Sequence, residues 1–315
     1  MEYLVNSVSI IIATHGRESA LRDTLLSLCL VEIPSNFLVE VVIAENGIAS
    51  NAEQIVTTLP KNSFQFRSLF LDPPGKSNAL NAAIQLSTGS VLLFTDDDVR
   101  FPKDWIREMC HPLFQGDGEV VIGGCRLAPH LQRGWMTRYH RGFLASTEYL
   151  SDDTPSEFAG VNFACVRQVF SEGLLFDCEL GGGGLGNCED SLLARQLSES
   201  GRRFVSRTQL HLTHHPSESR LLYQSWLSAA VAIGKSGAYL SHHWYHKRIT
   251  NARARLLYLS FKLRLRSWLS GSRTPESEGI SAWELSYRID IARYRHYLKE
   301  RLRPRNYSLR GLRKL

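Results

Sequence analysis

Apolar runs and amphipathic segments alternate regularly along the first 125 residues of the chain. Val8–Thr14 is a continuous β-branched run, which is typical of a strand covered on both faces, and further strands are predicted over Val39–Ala44, Phe66–Leu71 and Ser90–Phe94. The segments between and after them carry apolar residues at helical spacing and predict helices over Glu18–Leu30, Ala52–Leu59, Lys76–Ser87 and Pro102–Phe114. Strands that alternate with helices predict an α/β fold, with a mainly parallel sheet flanked by helices.

The pattern loosens beyond Glu119–Gly124, which predicts one more strand. Residues 126–156 are polar and aromatic and show no clear period. Farther along, Phe158–Cys165 and Arg203–Ser206 predict strands, and Ser191–Ser200 predicts a helix.

Four polar turns follow the strands of the first half, at residues 14–17, 45–47, 72–76 and 96–98. Because ligands of such sheets bind outside the carboxyl ends of the strands, we expect these turns to meet around one ligand. The last turn is three consecutive aspartates, whose charges repel unless a cation shares them. Mg²⁺ or Mn²⁺ that bridges to nucleotide phosphates would fill this role, and an acidic turn in water is the alternative.

Lys76 opens a predicted helix, where a cation and a helix N-terminus together can hold a pyrophosphate. A solvated lysine at a helix start is the competing interpretation. The phosphate-binding pattern G-x-x-x-x-G-K-[ST] is absent, and no G-x-G-x-x-G follows the first strand. The sequence therefore argues against a P-loop enzyme and a dinucleotide-binding domain.

A second acidic pair, Glu189-Asp190, follows the glycine-rich segment 181–186. A flexible loop before a carboxylate predicts a lid that closes over a substrate and delivers a base. Capping by Asn187, with acids that favour the positive end of a helix, is the alternative. His214 or His215, after the last predicted strand, could join Asp98 as a metal ligand or be structural.

Composition adds a charge asymmetry. The 315 residues carry a net charge of +6, and residues 251–315 alone hold 16 Lys/Arg and 5 Asp/Glu. Within this part, Arg253–Leu269 mixes aromatic and basic residues, which predicts either a helix at an anionic lipid surface or a helix packed on the globule. No nucleic-acid-binding motif accompanies it, so no nucleic-acid partner is predicted.

The six cysteines form no C-x-x-C pair, and we expect reduced, buried thiols in a cytosolic protein. The sequence suggests neither a signal peptide nor a spanning helix.

Several segments, in order, resemble the family 2 glycosyltransferases, which have the GT-A fold. The resemblance runs from Val8 to His215 and rests on VSIIIATHGR at 8–17, VVIAENG at 41–47, GKSNALN at 75–81, FTDDD at 94–98, GVNFACVR at 160–167, GLLFD at 173–177 and GNCEDSLL at 186–193. It departs from the family's usual turn at Glu45, where aspartate is typical.

The resemblance implies a role for each matching residue. Asp190 would be the general base, and Glu189 would support the acceptor hydroxyl. It also implies that Glu45 contacts the nucleobase, that Lys76 lies near the pyrophosphate, that Asp96 reaches the ribose or a metal-bound water, and that Asp98 binds the metal. With the converging turns added, the expected donor-binding residues are Thr14, His15, Arg17, Glu45, Asn46, Lys76, Asp96 and Asp97. The expected ligands of a divalent Mn²⁺ or Mg²⁺ are Asp98, Asp96 and either His214 or His215. The expected acceptor-side residues are Trp135, Asn162, Gly183 and Gly184.

These expectations define a GT-A domain over 1–250, with a nucleotide-sugar half (1–125) and an acceptor half (126–250). Residues 251–315 form a basic, partly amphipathic helical extension. The expected function is an inverting, metal-dependent glycosyltransferase that uses a nucleoside-diphosphate sugar, with a UDP-sugar favoured, and a glycan or glycolipid acceptor. The expected process is polysaccharide or glycolipid synthesis, in the cytoplasm or at the inner face of the plasma membrane.

Two alternatives stay open. A polyprenyl-phosphate glycosyl synthase would need no base, and a non-catalytic scaffold would bind a nucleotide sugar or a membrane without turnover.

Overall fold

A computed structural model describes residues 6–150, 157–171, 173–270 and 274–315 of the chain. Its strands are β1 (Asn6–Thr14), β2 (Phe37–Asn46), β3 (Gln65–Leu71), β4 (Val91–Asp96), β5 (Val99–Arg100), β6 (Val120–Leu127), β7 (Asn162–Val166) and β8 (Phe204–His214). Its α-helices are α1 (Glu18–Leu28), α2 (Ala52–Thr57), α3 (Lys76–Leu86), α4 (Trp105–Phe114), α5 (Arg138–Gly142), α6 (Glu189–Glu199), α7 (Tyr223–Tyr239), α8 (Ala252–Ser270) and α9 (Ala282–Glu300).

The strands form one sheet in the order β3-β2-β1-β4-β7-β6-β8-β5. The first four are mutually parallel, β7 runs antiparallel between β4 and β6, and β6 is parallel to β8. In the register of the central strands, Thr14 pairs with Glu45 and Ala13 with Asp96. The carboxyl ends of three strands therefore lie side by side, which gives the predicted mainly parallel sheet a shared ligand edge.

The core has two apolar layers, one on each face of the sheet. Leu21 and Leu25 of α1 and Trp105 of α4 pack on one face. On the other face, α3 and α6 pack around Phe94, whose ring stacks on Phe163 at a centroid distance of 4.4 Å. Burial on both faces explains why β1 and β4 are continuous apolar runs.

The predicted boundaries hold for most elements of the first half and shift at their ends. Helix α1 ends two residues earlier than predicted, and α4 begins at Trp105 instead of Pro102. Strand β8 is longer than the predicted Arg203–Ser206 because it continues past a register shift opposite Gly123 and Gly124. The sequence pattern did not predict β5, α5 or α7.

The basic extension is helical, as predicted, and its second helix packs on the rest of the chain. Helix α9 lies along α7 so closely that a Cβ on Gly234 would come 2.5 Å from the Ile289 carbonyl oxygen. The boundary predicted at residue 250 therefore separates two helices that pack against each other. After α9 the chain returns to Asp177 and Glu179, in the segment that precedes α6.

Across the described ranges, no helix combines the length and the apolar character needed to cross a bilayer. All six cysteines are free thiols, and the predicted burial is wrong for Cys178, which is exposed.

Candidate active site

A cavity of about 870 Å³ opens at the carboxyl ends of the parallel strands. It is lined at the strand ends by His15, Arg17, Lys76, Asp96, Asp98 and His214, and at the start of α6 by Glu189 and Asp190. A group of aromatic and basic residues forms the rest of its lining, called here the far side. A smaller cavity of about 220 Å³ adjoins it and shares His15, Arg17, Lys76 and Gly182. The two cavities therefore form one cleft with two cationic side chains, Arg17 and Lys76, at their junction.

Lys76 lies at the start of α3 and connects the two acidic clusters. Its Nζ is 2.9 Å from Asp96 Oδ1 and 3.3 Å from Glu189 Oε1. Burial acts to lower the pKa of Lys76, but these carboxylates outweigh it and hold the pKa above its ordinary value. Lys76 therefore stays cationic in the cleft, beside the N-terminus of a helix, where a phosphate is favoured.

Asp97 is fully buried and takes no part in the cleft surface. Thr14 Oγ1 donates to Asp97 Oδ2 at 2.5 Å, and the Arg17 guanidinium pairs with Asp97 Oδ1. Burial raises the pKa of Asp97 to about 7, against the opposing charge of Arg17. Its role in this structure is to hold Arg17 at the edge of the cleft.

Asp98 lies between two cationic groups. Arg17 Nη1 donates to Asp98 Oδ2 at 2.7 Å, and His214 Nε2 is 3.1 Å from Asp98 Oδ1. Burial acts to raise the pKa of Asp98, yet the hydrogen bond and charge of His214, followed by Arg17, hold that pKa well below its ordinary range. The same contact raises the pKa of His214 against the effect of its own burial.

The tautomer of His214 follows from its second contact. Its Nδ1 is 2.8 Å from the carbonyl oxygen of Leu144, which can only accept a hydrogen bond. Nδ1 therefore carries a proton, and Nε2 is directed toward Asp98. A histidine whose one nitrogen is fixed by a carbonyl presents the other in the manner of a metal ligand.

Asp190 is half-buried at the start of α6 and lines the same cavity as Asp98. Its Oδ2 accepts from Gly160 N at 2.7 Å, and its Oδ1 accepts from Ser191 N at 2.6 Å. These backbone donors fix the carboxylate while it still faces the cavity. Asp190 is therefore placed to accept a proton from a bound hydroxyl group.

Glu189 is buried, and its carboxylate contacts Lys76 where both residues line the cavity. Its burial raises its pKa, and Lys76 opposes that rise. The two adjacent acids therefore have different surroundings, and only Asp190 lies clear of the lysine.

The glycine-rich segment 181–186 folds back on the start of α3. Gly182 O accepts from Lys76 N at 2.8 Å, and Gly186 N donates to Gly181 O at 2.8 Å. At Gly183 the backbone φ is +85°, and a Cβ would lie 2.8 Å from the Pro74 carbonyl oxygen. Glycine is required there by both conformation and space. The segment joins the Lys76 turn to Glu189 and Asp190.

The family model described as Glycosyl transferase family 2 matches residues 9–174, more than half of the chain. The chain belongs to glycosyl transferase family 2. The matched segment includes the Lys76 turn and all three aspartates, whereas Glu189 and Asp190 follow it.

Relatives of this family 2 protein are distant. Succinoglycan biosynthesis protein ExoM of Rhizobium meliloti (strain 1021) is 28% identical over 111 residues, 35% of this chain and 36% of that protein. Mannosyltransferase PcManGT from Pyrobaculum calidifontis, in complex with GDP-Man and Mn²⁺, aligns with a TM-score of 0.53 at 15% identity over 93% of this chain and 74% of that chain. S. aureus TarS 1-349 in complex with UDP-GlcNAc aligns with a TM-score of 0.50 at 16% identity, over 83% and 73% of the two chains. The structural likeness confirms the predicted GT-A fold.

The donor set of this family 2 site fits a divalent cation that is shared with a ligand. Asp96, Asp98 and His214 line one cavity, and in the described residues no three His, Cys, Asp or Glu side chains are grouped closely enough to hold an ion alone. Mg²⁺ typically takes one or two carboxylates from a protein and further oxygens from substrate phosphates. The fixed tautomer of His214 adds a nitrogen directed at Asp98.

Several predicted site residues lie elsewhere, and the structure corrects them. Asn162 is fully buried between strands, where it donates to Gly124 O and accepts from Trp105 Nε1. Trp135 packs against Trp226 and Gly279, outside the cleft. Neither side chain lines the acceptor half of the cavity.

The remaining corrections concern four residues. The ring of His215 faces His130, so of the two candidate histidines only His214 approaches Asp98. Glu45 is buried and accepts from Ser50 N at 2.5 Å, so it does not reach toward a nucleobase. Gly183 lines the smaller cavity beside Lys76, and Gly184 packs on the Glu179 carbonyl, so neither lies on the acceptor side.

The sequence reasoning also missed residues that line the far side of the cavity: Arg138, Tyr139, Phe143, Tyr149, Arg220 and Ile233. The aromatic segment 126–156 was the available signal for three of them. Within it, spacing could not tell which rings turn toward the cleft.

Proposed function

We propose that this family 2 protein is an inverting, metal-dependent glycosyltransferase. It would move a sugar from a nucleoside-diphosphate sugar to an acceptor hydroxyl group. The observation that carries the proposal is a single cavity that is lined by Lys76, Asp96, Asp98 and Asp190. Lys76 and a cation held by the aspartates would suit a diphosphate, and Asp190 would supply a base for the acceptor.

The donor would bind with its diphosphate at the junction of the two cavities. Lys76 and Arg17 face this point, and the backbone amides at the start of α3 are close to it. Asp96, Asp98 and His214 would hold Mn²⁺ or Mg²⁺, which when bound would neutralise charge on the phosphate oxygens. PcManGT and TarS, which share the fold, carry GDP-Man with Mn²⁺ and UDP-GlcNAc in their structures and support this class of donor.

The reaction then follows from the residues of the chain. Asp190 accepts the proton of the acceptor hydroxyl group while the oxygen of that hydroxyl group forms a bond to the anomeric carbon. The bond from that carbon to the phosphate oxygen breaks, and its electron pair leaves with the nucleoside diphosphate. Lys76 stabilises the charge that develops there. A single displacement inverts the anomeric configuration and needs no covalent sugar–enzyme intermediate.

Asp190→Asn tests this proposal because the amide keeps the size of the carboxylate and loses its basicity. We expect kcat to fall by about 10²–10⁴-fold, the usual contribution of a general base. Donor affinity, measured by calorimetry with Mn²⁺ and both UDP- and GDP-sugars, should be unchanged.

Glu189→Gln is the matched control, because the same change in the adjacent acid removes a partner of Lys76. This variant should alter donor affinity as well as turnover. Near-normal turnover by Asp190→Asn would contradict the proposal and would favour a polyprenyl-phosphate acceptor, which is already anionic. Donor binding without turnover by the wild-type protein toward any glycan or lipid acceptor would favour the scaffold.

The acceptor we propose is a glycan or glycolipid in polysaccharide or glycolipid synthesis. Aromatic rings line the far side of the cavity, where a sugar ring could stack. ExoM, a relative of this chain, is named for succinoglycan biosynthesis, which supports this class of acceptor.

A further inference from the structure

Helix α8 carries a cluster of exposed large apolar side chains on its outer surface. They range from 49% exposed at Leu265 to 80% at Trp268, and the full set is Leu257, Tyr258, Phe261, Leu265, Trp268 and Leu269. Single exposed apolar residues are ordinary, whereas a contiguous group marks an interaction surface. We call this set the outer face of α8.

The helical geometry gathers these six residues into one stripe. At about 100° per residue they fall within an arc of about 120°. Basic residues flank the stripe on both edges, with Arg253 and Arg264 on one side and Arg255, Lys262 and Arg266 on the other. This is the arrangement of an amphipathic helix that lies in a lipid interface, where long cationic side chains reach up to the headgroups.

The opposite side of α8 is held by the fold. Leu263 lines a groove together with Leu227 and Val231 of α7 and with Ile291 of α9. The helix is thus supported from behind, and its most apolar side chains are directed away from the protein.

The charge of α8 indicates which partner binds to its outer face. Its 19 residues contain five Lys/Arg and no Asp or Glu. A second copy of the chain would bring the same five cations against them, and like charges across an interface are unfavourable. An anionic bilayer satisfies both features, because its headgroups meet the cations and its acyl region receives the apolar stripe.

We infer that α8 is a membrane-docking helix, which lies in the headgroup region of an anionic bilayer through its outer face. Five charges in 19 residues keep it at the surface and out of the hydrocarbon centre. Helix α7, which lines the groove behind α8, also contributes Ile233 to the lining of the large cavity. The inference concerns binding alone, so it stands or falls separately from the proposed transfer reaction.

The first test removes apolar area from the outer face with the double variant Phe261→Ser and Trp268→Ser. Flotation of the full chain with vesicles of phosphatidylcholine and phosphatidylglycerol measures the partition coefficient. We expect this coefficient to fall by about tenfold or more, since two large side chains lose their apolar transfer energy. The matched control is Leu30→Ser with Leu302→Ser, which removes two similarly exposed apolar side chains elsewhere.

The second test removes charge with Arg253→Gln and Lys262→Gln. The loss should be about fivefold for each charge at low salt, and it should shrink as salt is added. Lys61→Gln with Lys103→Gln is the control on other surfaces. All four side chains are exposed, so we expect the substitutions to leave folding unaffected. The melting temperature of each variant checks this.

Three results would overturn the inference. The first is that the wild-type chain does not bind the mixed vesicles at low salt, and the second is that the Phe261→Ser, Trp268→Ser variant binds them as well as the wild type does. The third is a wild-type dimer in sedimentation that this double variant abolishes, with no vesicle binding by either protein, which would make a second copy of the chain the partner.

Discussion

Lys314 fastens the C-terminal segment to two carboxylates beside the glycine-rich segment. Its Nζ is 2.5 Å from Asp177 Oδ1 and 3.2 Å from Glu179 Oε1. Asp177 is buried, and its other oxygen accepts from the hydroxyl groups of Tyr239 and Tyr307. Replacing Lys314 with methionine keeps the length of the side chain and removes only the cation.

We expect Lys314→Met to lower the free energy of unfolding by about 1–2 kcal/mol. A hydrogen bond to a buried charged group is worth about 1.5–3 kcal/mol, and the tyrosines still satisfy part of the carboxylate. Lys314 is itself 38% exposed, so solvent screening places the loss in the lower part of that range. For a chain of this size, the melting temperature should fall by about 1.5–3 °C.

Lys314→Met should also weaken binding at the donor site. The Glu179 carbonyl oxygen accepts from Leu185 N at 2.9 Å, and Gly182 O accepts from Lys76 N at 2.8 Å. A loosened Glu179 therefore loosens the turn that positions Lys76. We expect the donor KM to rise while kcat changes little, the pattern of lost ground-state binding.

The assay compares the calorimetric melting temperature of Lys314→Met with that of a control variant, Arg313→Met. Arg313 is a suitable control because it lies against Gly173, away from both carboxylates. Asp177 has a lowered pKa in the folded chain: burial raises it, but the Lys314 and tyrosine hydrogen bonds outweigh burial. Because the pKa of Asp177 is lower in the folded chain than in the unfolded chain, the carboxylate stabilises the folded state at neutral pH. This stabilisation is lost as the pH falls through the ordinary pKa of an aspartate and then through the lowered pKa of Asp177. The stability gap between the two variants should thus close in acid. Equal melting temperatures at neutral pH would refute the reasoning.

Two further predictions concern the strand wall of the cleft. Asp98→Asn should abolish the gain in donor affinity that Mn²⁺ produces in calorimetry, because one hard oxygen ligand is lost. The control Asp117→Asn, on an exposed loop, should keep that gain. An unchanged gain in Asp98→Asn would show that Asp98 is not a metal ligand. Lys76→Met should weaken donor binding by about 10–100-fold, the value of a charge-assisted contact to phosphate. The control Lys61→Met should leave donor binding unchanged. Equal donor affinities of Lys76→Met and the wild type would place the diphosphate away from α3.

The central strands of the first half could be predicted because they are buried on both faces. Ile10, Ile11 and Ile12 are all fully buried, so no side-chain alternation obscures the strand. Strand β8 is different, since its middle is only partly buried and a register shift interrupts its pairing with β6. A periodic pattern cannot show such an irregularity.

The candidate site was predictable where the chemistry lies at strand ends and helix starts. Topology alone brings Asp96, Asp98 and Lys76 to one edge of the sheet. Tyr139 and Trp135 show where this reasoning fails, because both are aromatic residues of one irregular segment and only Tyr139 turns to the cavity. Which ring faces the cleft depends on how α5 docks against α7 and α9, and such long-range packing leaves no local signal in the sequence.

Asn162 is fixed by packing from several sides. Its side chain connects Trp105 of α4 to Gly124 of β6, and a Cβ on Gly123 would lie 2.1 Å from its amide nitrogen. A larger residue at 123 can be accommodated only if the residue at 162 shrinks or leaves, so the two positions should covary among relatives. Such covariation beside a catalytic cleft would resemble a signature of substrate specificity. In this fold its origin is the contact between two neighbouring strands.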